Sequence, residues 1–182
     1  MKKLLLFVCF LLLAISPAEA GVYLDNTNKF QIVTPENWRL SGREQTIDHD
    51  AIFEIHGSDT SASERTLIGI KAAVARESRV DFSFANMTAE EKERLHKQTY
   101  EKFSMNLPQQ ATIDLHQFQN YVENTFLITT ISRQKEGEQY KAITAITYFA
   151  GRQYTFYLFV NDKNAWAIED FNNMLASFKI LN

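Results

Sequence analysis

Residues 140–160 read YKAITAITYF-AG-RQYTFYLFV, two apolar-rich runs separated by Ala150-Gly151. Both runs are dominated by β-branched and aromatic side chains, which suit a pleated, half-buried surface. A link of two residues ending in glycine leaves room only for a tight turn, so the runs predict antiparallel neighbours. In the second run Tyr154, Phe156, Leu158 and Val160 alternate with Tyr157 and Phe159. Apolar residues on both sides of the alternation predict a central strand covered on both faces.

The same pattern extends upstream. Residues 112–121 and 125–133 read as two more strands, joined through Glu123-Asn124 and then through 135–139. Four consecutive strands with short links form an antiparallel run. Downstream, Ile168, Phe171, Leu175 and Phe178 recur at spacings of three, four and three, the buried stripe of a helix over 163–177 that closes the chain. Asp162 is the expected N-cap.

Before the run lies another helix. Thr88 with Glu91 three residues on has the capping-box spacing. Glu90, Glu91 and Glu93 place negative charge at the positive end of the helix dipole, which accounts for this acidic cluster. Leu95, Phe103 and Leu107 line one face with Thr99 in the same row, and Pro108 stops the helix. Earlier still, 21–24, 30–33, 38–40, 51–55 and 67–75 read as strands, with a turn at 25–28 and polar loops at 41–50 and 57–65. Six glycines, three prolines and no repeat indicate regular structure throughout. Helices set beside an antiparallel sheet define an α+β class: an antiparallel β-sheet flanked by helices.

The N-terminus has a different character. Lys2-Lys3, an unbroken apolar run over 4–15, and Ser16-Pro17-Ala18-Glu19-Ala20 are the three parts of a secretory leader. The apolar run is shorter than the ~20 residues needed to span a bilayer. Residues 1–20 are therefore expected to be a signal peptide cleaved after Ala20, with 21–182 as one globular domain and no transmembrane segment after cleavage. The Lys-Lys start and Leu/Phe core point to a bacterial signal and a periplasmic or secreted product. Cys9 is the one cysteine and lies mid-run after Val8, which does not fit a lipoprotein site. Without it the exported chain has no thiol for a disulfide, a nucleophile or a zinc site. Losing Lys2, Lys3 and Glu19 makes the domain one unit more negative than the −3 of the full chain. Mild acidity offers no electrostatic basis for binding nucleic acid.

No motif for catalysis, cofactor or phosphate binding stands out. Asp48-His49-Asp50 with His56 is the best metal candidate, but adjacent residues of an extended segment point to opposite sides, and a solvated loop explains the group. No metal site is assigned. His96 and His116 read as singletons, one at the edge of a helix face and one within a strand. Phe82 and Phe84 alternate with polar residues just before the first helix. They read either as an exposed partner-binding patch or as core beneath that helix. Tyr148, Tyr154, Tyr157 and Trp166 are candidates for an aromatic ligand cleft. Asn86-Met87-Thr88 matches a glycosylation sequon, but in a bacterial chain it marks the helix start.

Three stretches carry a family resemblance. Residues 28–40, NKFQIVTPENWRL, resemble the F-x-I-x-x-P-x-x-W opening of PsbP-like and DcrB-like domains, through Phe30, Ile32, Pro35 and Trp38. Residues 151–160, GRQYTFYLFV, resemble their aromatic strand. Residues 171–181, FNNMLASFKIL, resemble their closing helix through Phe171, Leu175, Ser177 and Phe178. Residues 41–66 match nothing in that pattern. The resemblance implies an α/β/α sandwich and an accessory, assembly or chaperone-like protein that binds another protein and is not an enzyme. Two alternatives stand beside it. One is a small-molecule binder using the aromatic cleft. The other is a hydrolase whose histidine meets a hydroxyl or carboxylate only in three dimensions.

Overall fold

The computed structural model describes residues 20–41, 51–55, 66–75, 82–135 and 137–181. The proposed leader with Cys9, the polar loops at 42–50 and 57–65, and the Asp48-His49-Asp50/His56 group lie outside the described residues.

The chain opens with a hairpin of β1 (Gly21–Asp25) and β2 (Phe30–Thr34). Its turn forms because the Asp25 carboxylate accepts from the Asn28 backbone N–H at 2.7 Å and from its side-chain amide at 2.9 Å. Next come β3 (Trp38–Leu40), β4 (Ala51–Ile55) and β5 (Leu67–Val74). A short 3₁₀ turn, Phe84–Asn86, leads into α1 (Ala89–Met105). Then β6 (Ala111–Tyr121), β7 (Asn124–Lys135), β8 (Glu138–Phe149) and β9 (Arg152–Asn161) run as an antiparallel meander. A second 3₁₀ turn, Asp162–Asn164, precedes α2 (Ala167–Ser177) and the two-residue β10 (Lys179–Ile180).

The large sheet has the order β3-β4-β5-β9-β8-β7-β6, and its neighbours pair antiparallel throughout. β9 is its middle strand, because β5 pairs along the edge of β9 that β8 leaves free. A separate three-stranded sheet has the order β1-β2-β10. On one face of β9, Tyr154, Phe156, Leu158 and Val160 are buried with Phe30 and Ile32 of the small sheet and Phe171, Met174 and Leu175 of α2. On the other face, Phe84 is buried with Leu127 and Tyr148, and Phe82, Leu95 and Phe118 pack against them. The layers are thus α2 and the small sheet, then the large sheet, then α1 with the Phe82–Asn86 segment.

Several expectations are corrected in detail. The second face of β9 is not covered along its length, since Phe159 is 46% exposed. The chain does not end on a helix. Phe178 caps α2 in an extended conformation, and the chain then pairs with β2 as β10. Asn161, not Asp162, caps the start of this region: its side chain accepts from the Asn164 N–H, and α2 itself begins later at Ala167. The β6–β7 turn falls on Val122-Glu123, one residue earlier than expected. The strands at 21–24 and 30–33 join a second sheet, because their inward residues Tyr23, Phe30 and Ile32 are covered by the face of the large sheet.

Candidate functional site: a cleft at the hairpin end of the large sheet

The β6–β7 and β8–β9 turns lie at the same end of the meander, because two strand lengths separate them. Between them opens a cleft of about 720 Å³ that straddles the end of the sheet. Thr125, Thr147 and Tyr148 line it from the strands. Glu123 and Asn124 close it on one side, Phe149 and Ala150 on the other. Phe82 to Asn86 reaches it from one face of the sheet and Ile180 from the opposite face.

The lining is held by its own structure. The Tyr148 hydroxyl donates to Gln153 Oε1 at 2.6 Å, and the Gln153 amide donates to Thr155 Oγ1 at 3.1 Å. The Thr147 hydroxyl donates to the Thr125 carbonyl at 2.9 Å, and the Thr125 hydroxyl donates to Asn120 Oδ1 at 2.9 Å. Asn124 Nδ2 donates to the Phe178 carbonyl at 3.0 Å and ties the hairpin to the end of α2. Among the described residues of the lining, Glu123 is the one carboxylate. Amides, hydroxyls and aromatic edges offer donors, acceptors and apolar contact to a neutral or apolar surface.

The rim carries the exposed apolar groups. Val122 is 87% exposed and Phe149 is 43% exposed. Both turns are built on left-handed residues: Val122 has φ 44°, Ala150 φ 45° and Gly151 φ 71°. For a β-branched side chain this conformation is an outlier.

Phe82 and Phe84 are brought to this end of the sheet, but they do not form an exposed patch. Phe84 is only 2% exposed. It makes edge contacts with Phe118 at 5.1 Å and Tyr148 at 5.2 Å. Phe82 is half-buried, 5.0 Å from Tyr148, and lines the cleft. The reason is the sheet face beneath them, which needs cover ahead of α1. The four candidates for an aromatic cleft are not brought together. Tyr148 lines the cleft, whereas Tyr154 pairs with Thr147 and so points to the opposite face. There it is buried in the core, its hydroxyl donating to the Asn28 carbonyl at 2.8 Å. Burial pushes the Tyr154 phenol above its ordinary value. Tyr157 shares the face of Tyr148 but lies well along β9, paired with Thr144. Trp166 follows the far end of β9, where its exposed ring leans on Trp38 at 6.2 Å. Trp38 in turn donates from Nε1 to Asp170 Oδ2 at 2.7 Å.

One cluster escaped the reading of the sequence. α1 lays His96 against His116 of β6, with ring centres 4.8 Å apart. His96 Nε2–H donates to the His116 carbonyl. The Thr99 hydroxyl lies 2.7 Å from the Leu95 carbonyl and 3.0 Å from the His96 carbonyl, and the arrangement that satisfies every hydrogen has it donate within α1 while its oxygen accepts from His116 Nε2–H at 2.8 Å. His116 Nδ1 then accepts from the buried Thr129 hydroxyl at 2.8 Å. This meets the geometric half of the hydrolase expectation, a histidine beside hydroxyls, but not the chemical half. The imidazole does accept from the Thr129 hydroxyl, but His116 and Thr129 are both buried away from the cleft, so neither is placed to meet a substrate. Among the described residues no group of three or more His, Cys, Asp or Glu is placed to hold a metal ion. Nor is any described helix long and apolar enough to cross a membrane.

No protein-family model and no curated protein sequence matches this chain. Solved structures do. The chain superposes on cyanobacterial PsbP (CyanoP) from Synechocystis sp. PCC 6803 with a TM-score of 0.59 at 14% identity, covering 91% of this chain and 95% of that one. It superposes on LpqN of Mycobacterium tuberculosis, described as involved in cell envelope biogenesis, with a TM-score of 0.55 at 11% identity, covering 90% and 91%. A Bacteroides thetaiotaomicron structure gives 0.55 at 11% identity, and there 90% of this chain spans 49% of the other. The chain has a PsbP-like α+β fold, with antiparallel sheets and two α-helices among the described residues, as the short motifs at 28–40, 151–160 and 171–181 implied.

Proposed function

We propose that this domain is an accessory protein of the cell envelope that works by binding another protein at the hairpin end of its large sheet. The observation that carries the reading is the cleft itself. Its described lining is aromatic and amide-rich with Glu123 as its carboxylate, Phe149 in it is exposed, and exposed Val122 precedes Glu123 in the hairpin turn. An exposed aromatic and an exposed aliphatic side chain beside a polar-lined depression fit a protein contact better than a solvated surface. Two further points support it: the N-terminal leader, which would export residues 21–182, and structural neighbours that include a cyanobacterial PsbP and an envelope-biogenesis protein. The volume of the cleft also lies within the range of small-ligand sites, so a small molecule is the second occupant to consider.

The test is native mass spectrometry of the domain purified gently from its own envelope compartment, beside the Phe149→Asp variant. The expected result is a protein partner at fixed stoichiometry that the variant loses, while unfolding stability changes by less than about 0.5 kcal/mol. A bound small molecule lost by the variant would transfer the cleft to the ligand reading. A partner retained by the variant would remove the contact from this end of the sheet.

A further inference from the structure

We propose that His96 and His116 form an acid-released latch that holds α1 on the large sheet. The case rests on a count of hydrogens. The Thr99 hydroxyl spends its hydrogen within α1, so His116 must carry one on Nε2, and its Nδ1 is left bare for the Thr129 hydroxyl. A second proton on His116 can go only to Nδ1. That would put a hydrogen where Thr129 already directs one, and the Thr129 hydroxyl, buried and bonded only to this ring, would have to turn its hydrogen into the packed interior. A buried donor without an acceptor is costly. The latch therefore closes only around neutral His116.

The surrounding groups reinforce this. From α1, His96, Tyr100 and Phe103 face the His116 ring, with Lys92 one turn before His96 and lying over Phe118 at 5.9 Å. Glu93 is exposed on the same helix. From β7 the facing group is Thr129. On its own strand, Asp114 is occupied by the Thr112 and Ser132 hydroxyls. Among the described residues no carboxylate contacts either ring, so nothing nearby compensates a positive charge. Burial first, and the neighbouring His96 second, hold His116 below its ordinary value of 6.5. With the folded value depressed, the contribution is whole above about 6.5 and is lost as pH falls from there toward the folded value.

α1 is the element this would release. None of its residues is fully buried, whereas α2 buries Ala167, Phe171, Met174 and Leu175. Leu95 and Phe103 are half-buried, and the contacts of His96 and Thr99 with His116 add to its hold. Released, α1 would bare the sheet face around Phe118 and His116. The latch does not depend on what the cleft binds.

Two readouts on the whole domain test it: imidazole ¹⁵N spectra, and amide exchange corrected for its intrinsic pH dependence. Between about pH 7.5 and about pH 5, opening of the 89–105 amides is expected to rise at least about tenfold, starting near the ordinary histidine value and levelling off as His116 of the closed domain protonates, while β7 to β9 stay protected. His116→Gln should abolish that step. Flat exchange in α1 would overturn the latch. So would a His116 ring that titrates at or above 6.5 in the closed domain, a readout of the native chain that stands even if the variant does not fold.

Discussion

At the scale of single residues, Val122 is the outlier. It sits at the tip of the β6–β7 hairpin with φ 44° and is 87% exposed. The left-handed conformation costs an L-residue about 1–2 kcal/mol, and a β-branched one tolerates it least. Nothing buried repays that cost. Asparagine adopts this conformation far more readily, so Val122→Asn should raise stability by about 0.5–1 kcal/mol, seen as a higher urea midpoint at unchanged slope. The other hairpin makes a lesser compromise, since its left-handed non-glycine residue is an alanine without a β-branch. Ala150 at 45° and Gly151 at 71° make consecutive left-handed residues, the geometry favoured by a two-residue hairpin loop, and Ala-Gly announced that turn in the sequence. Val122 announced nothing, which is why that turn was read one residue late. The histidines were opaque for a related reason. His96 and His116 belong to different elements, and neither position has a pattern that signals the other.

At the scale of elements, α1 shows what local chemistry can specify. Its capping box is complete: Thr88 Oγ1 accepts from the Glu91 N–H at 3.2 Å, and Glu91 accepts from the Thr88 N–H at 2.8 Å. Removing the cap with Thr88→Ala should cost about 1 kcal/mol, measured by thermal unfolding at neutral pH. The Thr88 backbone N–H, then its hydroxyl, hold the Glu91 carboxyl below the usual 4.5. The lowered value means this part of the cap is present above about pH 4.5 and fades as pH drops through the folded value. The variant should therefore show a shallower acid limb than the parent. Both capping partners lie within three residues, so the box was legible. β10 was not. Two residues after α2 carry no strand signal of their own, and they become a strand only because Gln31 and Phe30 of β2 offer a free edge to Lys179 and Ile180.

At the scale of the whole molecule, Phe178 joins the parts. Its ring lies 5.9 Å from Phe30 of the small sheet, 6.0 Å from Phe126 of β7, and 5.2 Å from both Tyr154 and Phe156 of β9. One side chain thus spans both sheets at the end of α2. Phe178→Ala is expected to cost about 3–5 kcal/mol, the range for a buried phenylalanine. If the two sheets fold as one unit, sheet content by circular dichroism and tryptophan fluorescence from Trp38 and Trp166 should lose structure in one coincident transition. Separate midpoints would mean that the small sheet melts alone.

The residues themselves determined the meander over 111–161, the two helices and the central place of β9. Each rests on side-chain alternation, a helical repeat or a turn residue, and those signals are written within a few neighbours along the chain. Tertiary structure decided the rest: which strands leave for the second sheet, that β5 pairs with the free edge of β9, that Phe84 becomes core while Phe82 lines a cleft, and that two hairpin tips enclose that cleft. The physical reason is that a strand edge can bond any other edge. The choice falls to whichever pairing buries matching apolar faces, and that depends on residues far away in the chain.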